Sequence, residues 1–435
     1  MRSITILALA SFTLVFTACG TQGANEPLPS QLQPQALLGA PGSLDSSFGT
    51  GGLTIPGGSY SAGLTIQGDG KALVLTGSGR FVFPAGLVTT LTRLNRNGQP
   101  DPNFGQNGVV NIDGGNGALA LVCPNGANAY NDWGAACEDP ERTVVAVTVT
   151  TRDVPAQQYL KFYRFLPSGQ PDPSFGQNGV VIAPSTWLSY VASMVIQADG
   201  KMVVGGYLLD GTGLGYLARL KRNGTPDPTF GSGGMTLLSP DLTVIKIVLP
   251  QNEHPVVLTT NNVQLRADIL GFTDQGLPDT HFGTGGLVSL EFGPYGYAFD
   301  ILALDNDHLV VGGSGALWQL RPNGTPDPSF GVNGKALFPD LEMTSLALDD
   351  QNRLVAGVVT RVGGNVATIA RFRPNGVLDS SFGTGGLTQV ANPFGGRGGY
   401  LTFYQVAVQR NGRILGAATH SFHHADLVVV ARLLP

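Results

Sequence analysis

Residues 224–234 read Gly-Thr-Pro-Asp-Pro-Thr-Phe-Gly-Ser-Gly-Gly, and the pattern of this segment decides the fold of the whole chain. Its fixed positions, G-x-x-D-x-x-F-G-x-x-G, occur seven times in 435 residues. The Asp and Phe residues of the copies are Asp45/Phe48, Asp101/Phe104, Asp172/Phe175, Asp227/Phe230, Asp279/Phe282, Asp327/Phe330 and Asp379/Phe382. Successive Phe residues lie 48 to 71 residues apart. Repetition at such a period is typical of propellers, solenoids and other arrays.

Between the motif copies, each repeat reads as four short strands. In the sixth repeat these are KALF (335–338), TSLALD (344–349), RLVAGVVT (353–360) and ATIARFRP (367–374). The second and third strands are joined by tight polar turns, such as Asp69-Gly70-Lys71, Asp199-Gly200-Lys201 and Asn411-Gly412-Arg413. Asp-Gly and Asn-Gly between apolar runs predict hairpins, because a type I′ turn needs positive φ at both central residues. No segment shows a sustained helical period with caps, so the chain is predicted to be all-β.

Repeats of about fifty residues with four strands each are typical of propeller blades. The last segment, DLVVVARLLP (426–435), matches LGYLARLKRNG and VATIARFRPNG, but it stops where those continue into the motif loop. The unmatched copy of that loop, residues 42–52, lies at the other end of the chain. The sequence therefore predicts a seven-bladed β-propeller of four-stranded antiparallel blades over residues 41–435, closed between its N- and C-terminal segments.

These motif copies and Asp-Gly-Lys hairpins resemble the delta-60 repeat, a bacterial β-propeller repeat found mostly in exported proteins. The resemblance covers roughly residues 40–435. It implies a propeller fold and brings no established activity or catalytic residues. The second repeat departs from the pattern through extra residues near 123–140, around CPNGANAYNDWGAAC.

The first residues are typical of an export signal. Arg2 precedes an uncharged apolar stretch over residues 4–18, which is too short to span a membrane as a helix. The stretch ends in Phe16-Thr17-Ala18-Cys19, which resembles the lipobox of bacterial lipoproteins. We therefore predict a signal peptide over 1–18, a lipid on Cys19, a flexible tether over 19–40 and a location in the bacterial cell envelope. Plain secretion is the alternative.

Cys123 and Cys137 remain as a pair within the extra segment. In an exported chain they predict a disulfide, whereas neither a CxxC motif nor a nearby His supports a metal site. The same segment carries Tyr130 and Trp133. Either it forms a binding loop on a rigid scaffold, or it is a variable loop with a stabilising disulfide.

The motif residues are predicted to maintain the fold. We expect the seven Phe side chains to be wedges buried between blades, and the seven Asp side chains to accept backbone N–H groups within their loops. In several copies an Arg precedes the Asp by eight residues, as in Arg93, Arg164, Arg219 and Arg371, and Arg432 holds that place relative to Asp45 across the closure. Bidentate Arg–Asp pairs are the resulting hypothesis. The alternative makes the repeated Asp residues ligands for ions or sugars.

Other candidate sites are weak. His420, His423, His424 and Asp426 lie close in sequence, but a solvated loop explains them as well as a Zn²⁺ or Cu²⁺ site does. The acidic turns Asp305-Asn306-Asp307 and Asp349-Asp350 lack the spacing of a calcium-binding loop, so they are predicted to be ordinary turns. Phosphate-loop and nucleophile-elbow motifs are missing. We therefore predict no catalytic residues, no metal and no cofactor.

Charge argues against nucleic acid as a partner, because the net charge is −5 and no basic cluster stands out. The favoured function is a non-enzymatic, monomeric envelope module that binds or scaffolds a protein or polysaccharide, with membrane contact through the N-terminal lipid only. A glycan-directed hydrolase or lyase at the channel mouth is the alternative, and a purely structural envelope component is the third possibility. An enzyme should gather carboxylates or His residues at the channel mouth, whereas a binding module should present aromatic or apolar side chains.

Overall fold

The computed structural model describes residues 39–77, 88–113, 117–122, 142–150, 158–187, 189–261, 266–293, 296–360, 367–393, 400–421 and 426–435. The regular elements in these segments are β-strands, apart from one 3-10 turn at Ser185–Trp187. The prediction of an all-β chain is confirmed. Within the same segments there is no helix of the length and apolarity needed to cross a membrane.

Five of the six sheets formed by the described residues have four antiparallel strands. The first contains β2 (Tyr60–Ile66), β3 (Ala72–Gly77), β4 (Val88–Leu94) and β5 (Val109–Asp113). The second contains β6 (Gly117–Val122), β7 (Arg142–Thr150), β8 (Gln158–Phe165) and β9 (Val180–Ile182). The third contains β10 (Ser189–Ile196), β11 (Met202–Leu208), β12 (Gly215–Leu220) and β13 (Met235–Leu237). The fourth contains β14 (Leu242–Val248), β15 (Val256–Asn261), β16 (Arg266–Gly271) and β17 (Leu287–Leu290).

The fifth four-stranded sheet joins the two ends of the chain. It contains β24 (Tyr400–Val408), β25 (Ile414–Ser421), β26 (Leu427–Leu433) and, as its outer strand, β1 (Leu53–Thr54). Leu53 lies opposite Ala431, and Thr54 lies opposite Val430. The pairing between the N-terminal and C-terminal segments that the sequence predicted is therefore present.

The remaining sheet has six strands, so the prediction of seven blades of four strands each is wrong: the described residues form five four-stranded sheets and one larger sheet. It contains β18 (Ala298–Ala303), β19 (Leu309–Leu320), β20 (Lys335–Leu348), β21 (Leu354–Thr360), β22 (Ala367–Phe372) and β23 (Leu387–Gln389). Strand β20 pairs with β19 near its start and with β21 over its second half. The chain stays extended at Pro339-Asp340, where no glycine forms a turn, and the hydrogen-bonded ladder continues from the fifth repeat into the sixth.

The first strands of the repeats pack side by side in a closed circuit. The order is β2, β6, β10, β14, β18, β20, β24 and back to β2. The small antiparallel sheets are thus arranged as a propeller around a central channel. Apolar side chains fill the space between neighbouring sheets; for example, Phe48 packs with Val74 of one sheet and Val430 of another.

Candidate functional site

The motif loops have the same hydrogen-bonding pattern from copy to copy. In the fourth copy the Asp227 carboxylate accepts the Thr229 N–H at 3.3 Å, and the Phe230 N–H donates to the Asp227 carbonyl at 3.1 Å. The Gly231 N–H donates to the Gln275 carbonyl of the following repeat at 2.8 Å. In the other copies the motif Asp accepts the N–H of Ser47, Asn103, Ser174, His281, Ser329 or Ser381. Each motif Asp side chain thus accepts an N–H group of its own loop, which is the contact expected of an Asp in a turn.

A buried arginine contacts the Asp in each of the five copies that carry it. The Nε–Oδ2 distances are 2.9 Å for Arg93–Asp101, 2.8 Å for Arg164–Asp172, 2.9 Å for Arg219–Asp227 and 2.8 Å for Arg371–Asp379. Across the closure, Arg432 Nη2 lies 2.9 Å from Asp45 Oδ2. The predicted Arg–Asp partners are therefore in contact.

The same guanidinium groups also connect neighbouring repeats. Arg164 Nη1 donates to the Arg222 carbonyl at 2.7 Å, and Arg219 Nη1 donates to the Asp274 carbonyl at 2.6 Å. Equivalent bonds join Arg93 to Pro167 and Arg432 to Arg96. Each guanidinium carbon lies 4.5 to 4.9 Å from the centroid of the motif Phe ring in its own loop. Arg, Asp and Phe thus form one buried unit at each of these interfaces.

The seven motif Phe side chains are at most 4% exposed. They are Phe48, Phe104, Phe175, Phe230, Phe282, Phe330 and Phe382. Phe104 shares an apolar cluster with Leu73 of β3 and Val145 of β7, which belong to different sheets. Phe382 likewise lies in a cluster that combines β21 and β24. These rings lie where neighbouring sheets meet, which is the position expected of a wedge between blades.

Phe175 and Phe330 lie at equivalent positions between consecutive repeats, although the sheets around them are arranged differently. Phe175 clusters with Phe162 of β8 and Met194 of β10, so it lies between two separate sheets. Phe330 clusters with side chains of β19 and β21, which belong to the one six-stranded sheet. The wedge therefore separates consecutive repeats even where their strands are joined into a single ladder.

The Phe ring also contacts the first glycine of the following motif copy. The Phe230 ring covers Gly276, where an added Cβ would lie 2.8 Å from the ring carbons. Gly276 has a φ of +73°, a conformation that favours glycine. The motif glycine therefore serves both the turn and the close approach of the ring.

Two copies lack the arginine. Gly271 takes its place before Asp279, and Gln319 takes its place before Asp327. The Asp327 carboxylate instead contacts His308, with Nε2 and Oδ2 3.1 Å apart. The Asp279 carboxylate lies 3.2 Å from the Nδ1 atom of His281, whose side chain is 95% exposed.

The paired motif carboxylates are stabilised in their charged form. Burial raises the pKa of Asp227, but hydrogen bonds from Thr229 and the charge of Arg219 outweigh it, so the pKa lies below its ordinary value. The pKa of Asp45, Asp101 and Asp379 is lowered in the same way. A carboxylate tied to a buried guanidinium and its own loop is suited to holding structure rather than to exchanging protons or ligands.

A second set of contacts lies on the inner strands, where a β-bulge recurs at the same position. The side chain after the bulge accepts a backbone N–H from the next inner strand: Ser193 from Ile247 at 3.1 Å and Ser345 from Val406 at 3.1 Å. Asp300 does the same for Leu346 at 2.6 Å. These bonds link the inner strands of consecutive repeats.

The inner strand β14 carries Lys246 at this position, which cannot accept a hydrogen bond. Its amine donates instead to Asp300 Oδ1, which also accepts the N–H of Ile301 at 2.8 Å. Asp300 is 3% exposed, so one buried carboxylate replaces the acceptor that lysine lacks and neutralises the amine.

At five bulges of the inner strands the inserted residue is more exposed than the buried residue before it. These residues are Ala192, Ile245, Phe299, Thr344 and Tyr404. Phe299 is 36% exposed and Tyr404 is 43% exposed, whereas Ala298 and Phe403 before them are buried. Burial raises the pKa of the Tyr404 phenol, and the nearby charge of Asp426 adds to that effect. Tyr404 thus lies in an enclosed but accessible position.

More tyrosines gather where the inner strands begin. The rings of Tyr190 and Tyr207 stack with centroids 5.0 Å apart and planes 19° apart. Burial raises the pKa of Tyr60 to about 12. Burial also raises the pKa of Tyr190, with smaller contributions from Tyr207 and Tyr60, so these three phenols lie near one another although Tyr60 and Tyr190 belong to different sheets. Aromatic side chains are therefore clustered where these inner strands begin.

Several predicted residues lie outside the described segments. These are the signal peptide and tether, Cys19, the extra segment with Cys123, Tyr130, Trp133 and Cys137, and His423 with His424. His420 is 4% exposed, and its Nε2 lies 3.1 Å from the Asn392 amide nitrogen. Among the described residues, no three His, Cys, Asp or Glu side chains are grouped as metal ligands would be.

The acidic turns act as turns. Asp349 accepts the N–H groups of Gln351 and Arg353, each at 2.9 Å. Asp307 Oδ1 accepts the Gln251 N–H of the preceding repeat at 2.6 Å.

The motifs of the sequence do not point to these aromatic side chains. An alignment of the first strands alone would have revealed Tyr60, Tyr190 and Tyr297 at one position and Phe299 and Tyr404 at another. The bulge, which changes the alternation of exposed and buried side chains there, has no sequence pattern of its own.

Comparison with known proteins supports the fold. Residues 197–230, 305–330 and 354–382 match a family model described as a domain of unknown function (DUF5122) β-propeller. Each matched segment ends on a motif Phe: Phe230, Phe330 or Phe382. No curated protein matches the chain.

Three similar solved structures have low identity. The extracellular domain of a putative hybrid two-component system from B. thetaiotaomicron shares 13% identity over 87% of this chain and 38% of its own, with a TM-score of 0.43. PorZ, a bacterial surface component of the type-IX secretion system of Porphyromonas gingivalis, shares 12% identity over 86% of this chain and 47% of its own, with a TM-score of 0.43. Trypanosoma rangeli sialidase shares 7% identity over 86% of this chain and 55% of its own, with a TM-score of 0.39. The chain thus spans less than two thirds of each of these chains.

Proposed function

We propose that this protein is a non-enzymatic binding module of the bacterial cell envelope, and that its ligand binds at the rim of the propeller channel. The observation that carries the proposal is the set of aromatic side chains on the inner strands, above all the exposed Phe299 and Tyr404, which in this proposal line the rim. Ligand sites are concave and largely aromatic or apolar, with a few polar groups that fix orientation. The nearby carboxylate of Asp300 is held by Lys246 and two backbone N–H groups, which leaves it poorly placed for acid–base chemistry.

In this proposal the seven motif Asp and seven motif Phe residues are structural, and the ring has seven units. The six-stranded sheet counts as two blades: β19 bends at Gly315, and β20 supplies the last strand of one blade and the first of the next. The closed circuit of seven inner strands supports that count. The domain would then extend over residues 41–435.

The location in the envelope rests on the N-terminal sequence. Residues 1–18 would be removed as a signal peptide, and Cys19 would carry the lipid at the start of a tether over 19–40. A disulfide between Cys123 and Cys137 is part of the same proposal, since an exported chain meets an oxidising compartment. The module would act as a monomer, with a protein or a polysaccharide as its ligand.

The test compares three chains on glycan and protein arrays: the unmodified protein, the F299A/Y404A variant and a variant without residues 123–140. We expect the aromatic double variant to lose binding while its melting temperature stays close to that of the unmodified protein. Loss of binding only in the deletion variant would move the site to the extra segment. Release of shorter glycans during long incubation would instead support the hydrolase or lyase.

A further inference from the structure

A second cation reaches the motif Asp from the hairpin turn that follows the inner strand. Three copies show it: Lys71 Nζ lies 3.1 Å from Asp101 Oδ2, Arg353 Nη1 lies 3.4 Å from Asp379 Oδ2, and Arg413 Nε lies 2.6 Å from Asp45 Oδ2. Lysine and arginine stay charged up to about pH 10. In these copies the hairpin therefore presents a permanent positive charge to the motif loop.

The fifth copy has a histidine at this place. His308 Nε2 lies 3.1 Å from Asp327 Oδ2, and the uncharged Gln319 stands where other copies have the buried arginine. Histidine is the side chain whose charge ordinarily changes between about pH 5 and 8. The positive charge that the hairpin presents to Asp327 is therefore one that pH can remove.

Both nitrogens of the His308 ring face hydrogen-bond acceptors. While Nε2 faces the Asp327 carboxylate, Nδ1 lies 3.3 Å from the carbonyl oxygen of Asn306. A neutral imidazole has one N–H and can donate to only one of these oxygens, whereas the protonated ring has two and can donate to both. The arrangement therefore fits the charged ring better than the neutral one.

The carboxylate of the pair stays charged over the range in which histidine titrates. The Ser329 backbone N–H donates to Asp327, and this bond is the main reason why the pKa of Asp327 lies below its ordinary value of 3.8. The charges of His308 and Arg321 lower it further. Asp327 thus remains an anion above about pH 4, and the histidine is the partner whose charge changes.

Other charges surround this histidine. The charged or titratable groups on the elements that contact its turn include Asp305 and Asp307 of the same turn, Glu253 and His254 of the preceding repeat, and Arg321 after β19. Asp307 accepts the Gln251 N–H at 2.6 Å, and Glu253 accepts a backbone N–H of the third repeat at 2.7 Å. The carboxylates of its own turn favour the protonated ring, as Asp327 does.

We propose that the His308–Asp327 pair makes the boundary between the fifth and sixth repeats responsive to pH. In mild acid the protonated ring ties the hairpin to the motif loop, and this tie weakens as the pH rises and the ring loses its charge. The same loop buries Phe330, and its Gly331 N–H donates to the Asn375 carbonyl of the sixth repeat at 3.0 Å. A looser loop therefore loosens the boundary. This device is separate from the proposed binding function and needs no ligand.

The test follows hydrogen–deuterium exchange of the full chain by mass spectrometry at about pH 5.5 and about pH 8.5, corrected for the chemical exchange rate. The loop at 326–334 is compared in the unmodified protein, H308K and H308Q. H308K supplies the permanent charge that Lys71 supplies in the first copy. The loop at 378–386 is the internal control, because Arg353 and Arg371 both contact its Asp379.

We expect the loop at 326–334 of the unmodified protein to exchange about threefold faster at the higher pH, while the loop at 378–386 keeps its rate. H308K should exchange slowly at both pH values, and H308Q should exchange fast at both. Equal rates in the unmodified protein, or the same pH dependence in H308K, would overturn the proposal. If the variants do not fold, the two loops of the unmodified protein decide, and an equal pH dependence of both would overturn it.

Discussion

Two neighbouring motif loops, around Asp227 and around Asp279, solve the same packing problem in different ways. In the first, Arg219 pairs with Asp227, stacks on Phe230 and reaches the next repeat through the Asp274 carbonyl. In the second, glycine replaces the arginine, yet the loop keeps the same backbone hydrogen bonds and buries its Phe to 4% exposure. The backbone of the motif therefore does not depend on the ion pair.

The position of the Phe ring explains how the second loop manages without arginine. A Cβ added to Gly271 would lie 2.7 Å from Cγ of Phe282, so the ring lies directly against the glycine backbone. In the first loop the guanidinium lies over the ring instead. Buried ion pairs and well-packed apolar groups are interchangeable in this way when volume is conserved.

The largest expected effect comes from removing the arginine where it is present. We predict that R219A lowers the free energy of unfolding by about 3–5 kcal/mol, because it leaves the carboxylate of Asp227 buried without its guanidinium partner. Urea denaturation measures this. R219A/D227A should recover part of the loss, and a double variant less stable than R219A would contradict the explanation.

Restoring the common residue in the second loop should be harmful. We predict that G271R lowers the free energy of unfolding by about 1–3 kcal/mol or more, because Phe282 occupies the space that the new side chain needs. In a protein that already carries F282A, the G271R substitution should cost less stability than it does in the unmodified protein. A more stable G271R variant would show that the ring moves aside at little cost.

The pair that crosses the closure should behave like the others. In a double-mutant cycle, R432A and D45A are expected to show a coupling of about 0.5–3 kcal/mol, because the two side chains are in direct contact. Additive effects would contradict the pairing. Arg413 also contacts Asp45, with Nε and Oδ2 2.6 Å apart. A second double-mutant cycle of R413A with D45A therefore serves as the reference for the first.

The lowered carboxylate pKa predicts acid sensitivity. Because the pKa of Asp227 in the folded protein lies below its ordinary value of 3.8, the unfolded chain binds more protons in acid. The stabilisation is present above about pH 4 and is lost as the pH falls through the folded pKa. D227N should therefore show a shallower loss of stability between about pH 5 and 2 than the unmodified protein, measured by melting temperature. Equal slopes would exclude a contribution from Asp227.

The smallest effect is expected at Asp279, which has no arginine partner in the second loop. Its side chain is 25% exposed, and it keeps the N–H of His281 as a donor. We predict that D279N changes the free energy of unfolding by less than about 0.5 kcal/mol, since an amide oxygen accepts the same bond. A loss of stability well above this value would remove the distinction between the loops.

Much of the fold was predictable because the determining interactions are local and repeated. The hairpins depend on turn residues, and the pairs between Arg93 and Asp101 or Arg164 and Asp172 join residues of one repeat at a constant spacing. The merging of the fifth and sixth repeats was not predictable in this way. It depends on whether Pro339-Asp340 stays extended, which the flanking strands decide together.

The candidate site was the least predictable part. The sequence pattern points to the motif Asp residues and to the extra segment, whereas the exposed aromatic residues lie on inner strands without a distinctive pattern. Phe299 and Tyr404 are exposed at positions where a bulge shifts the alternation of side chains by one residue. A shift of one residue exchanges the faces of a strand, and nothing in the local composition shows it.

The repeated motif G-x-x-D-x-x-F-G-x-x-G therefore determined the repeat, its hairpins, its Arg–Asp partners and the joining of the two ends. Those features follow from contacts that recur from repeat to repeat, so the repeats of one sequence are enough to reveal them. The tertiary structure alone decided that Phe282 fills the space beside Gly271, that one sheet extends through two repeats, and that Phe299 and Tyr404 are exposed. These depend on how neighbouring sheets pack, and packing is settled between repeats rather than within them.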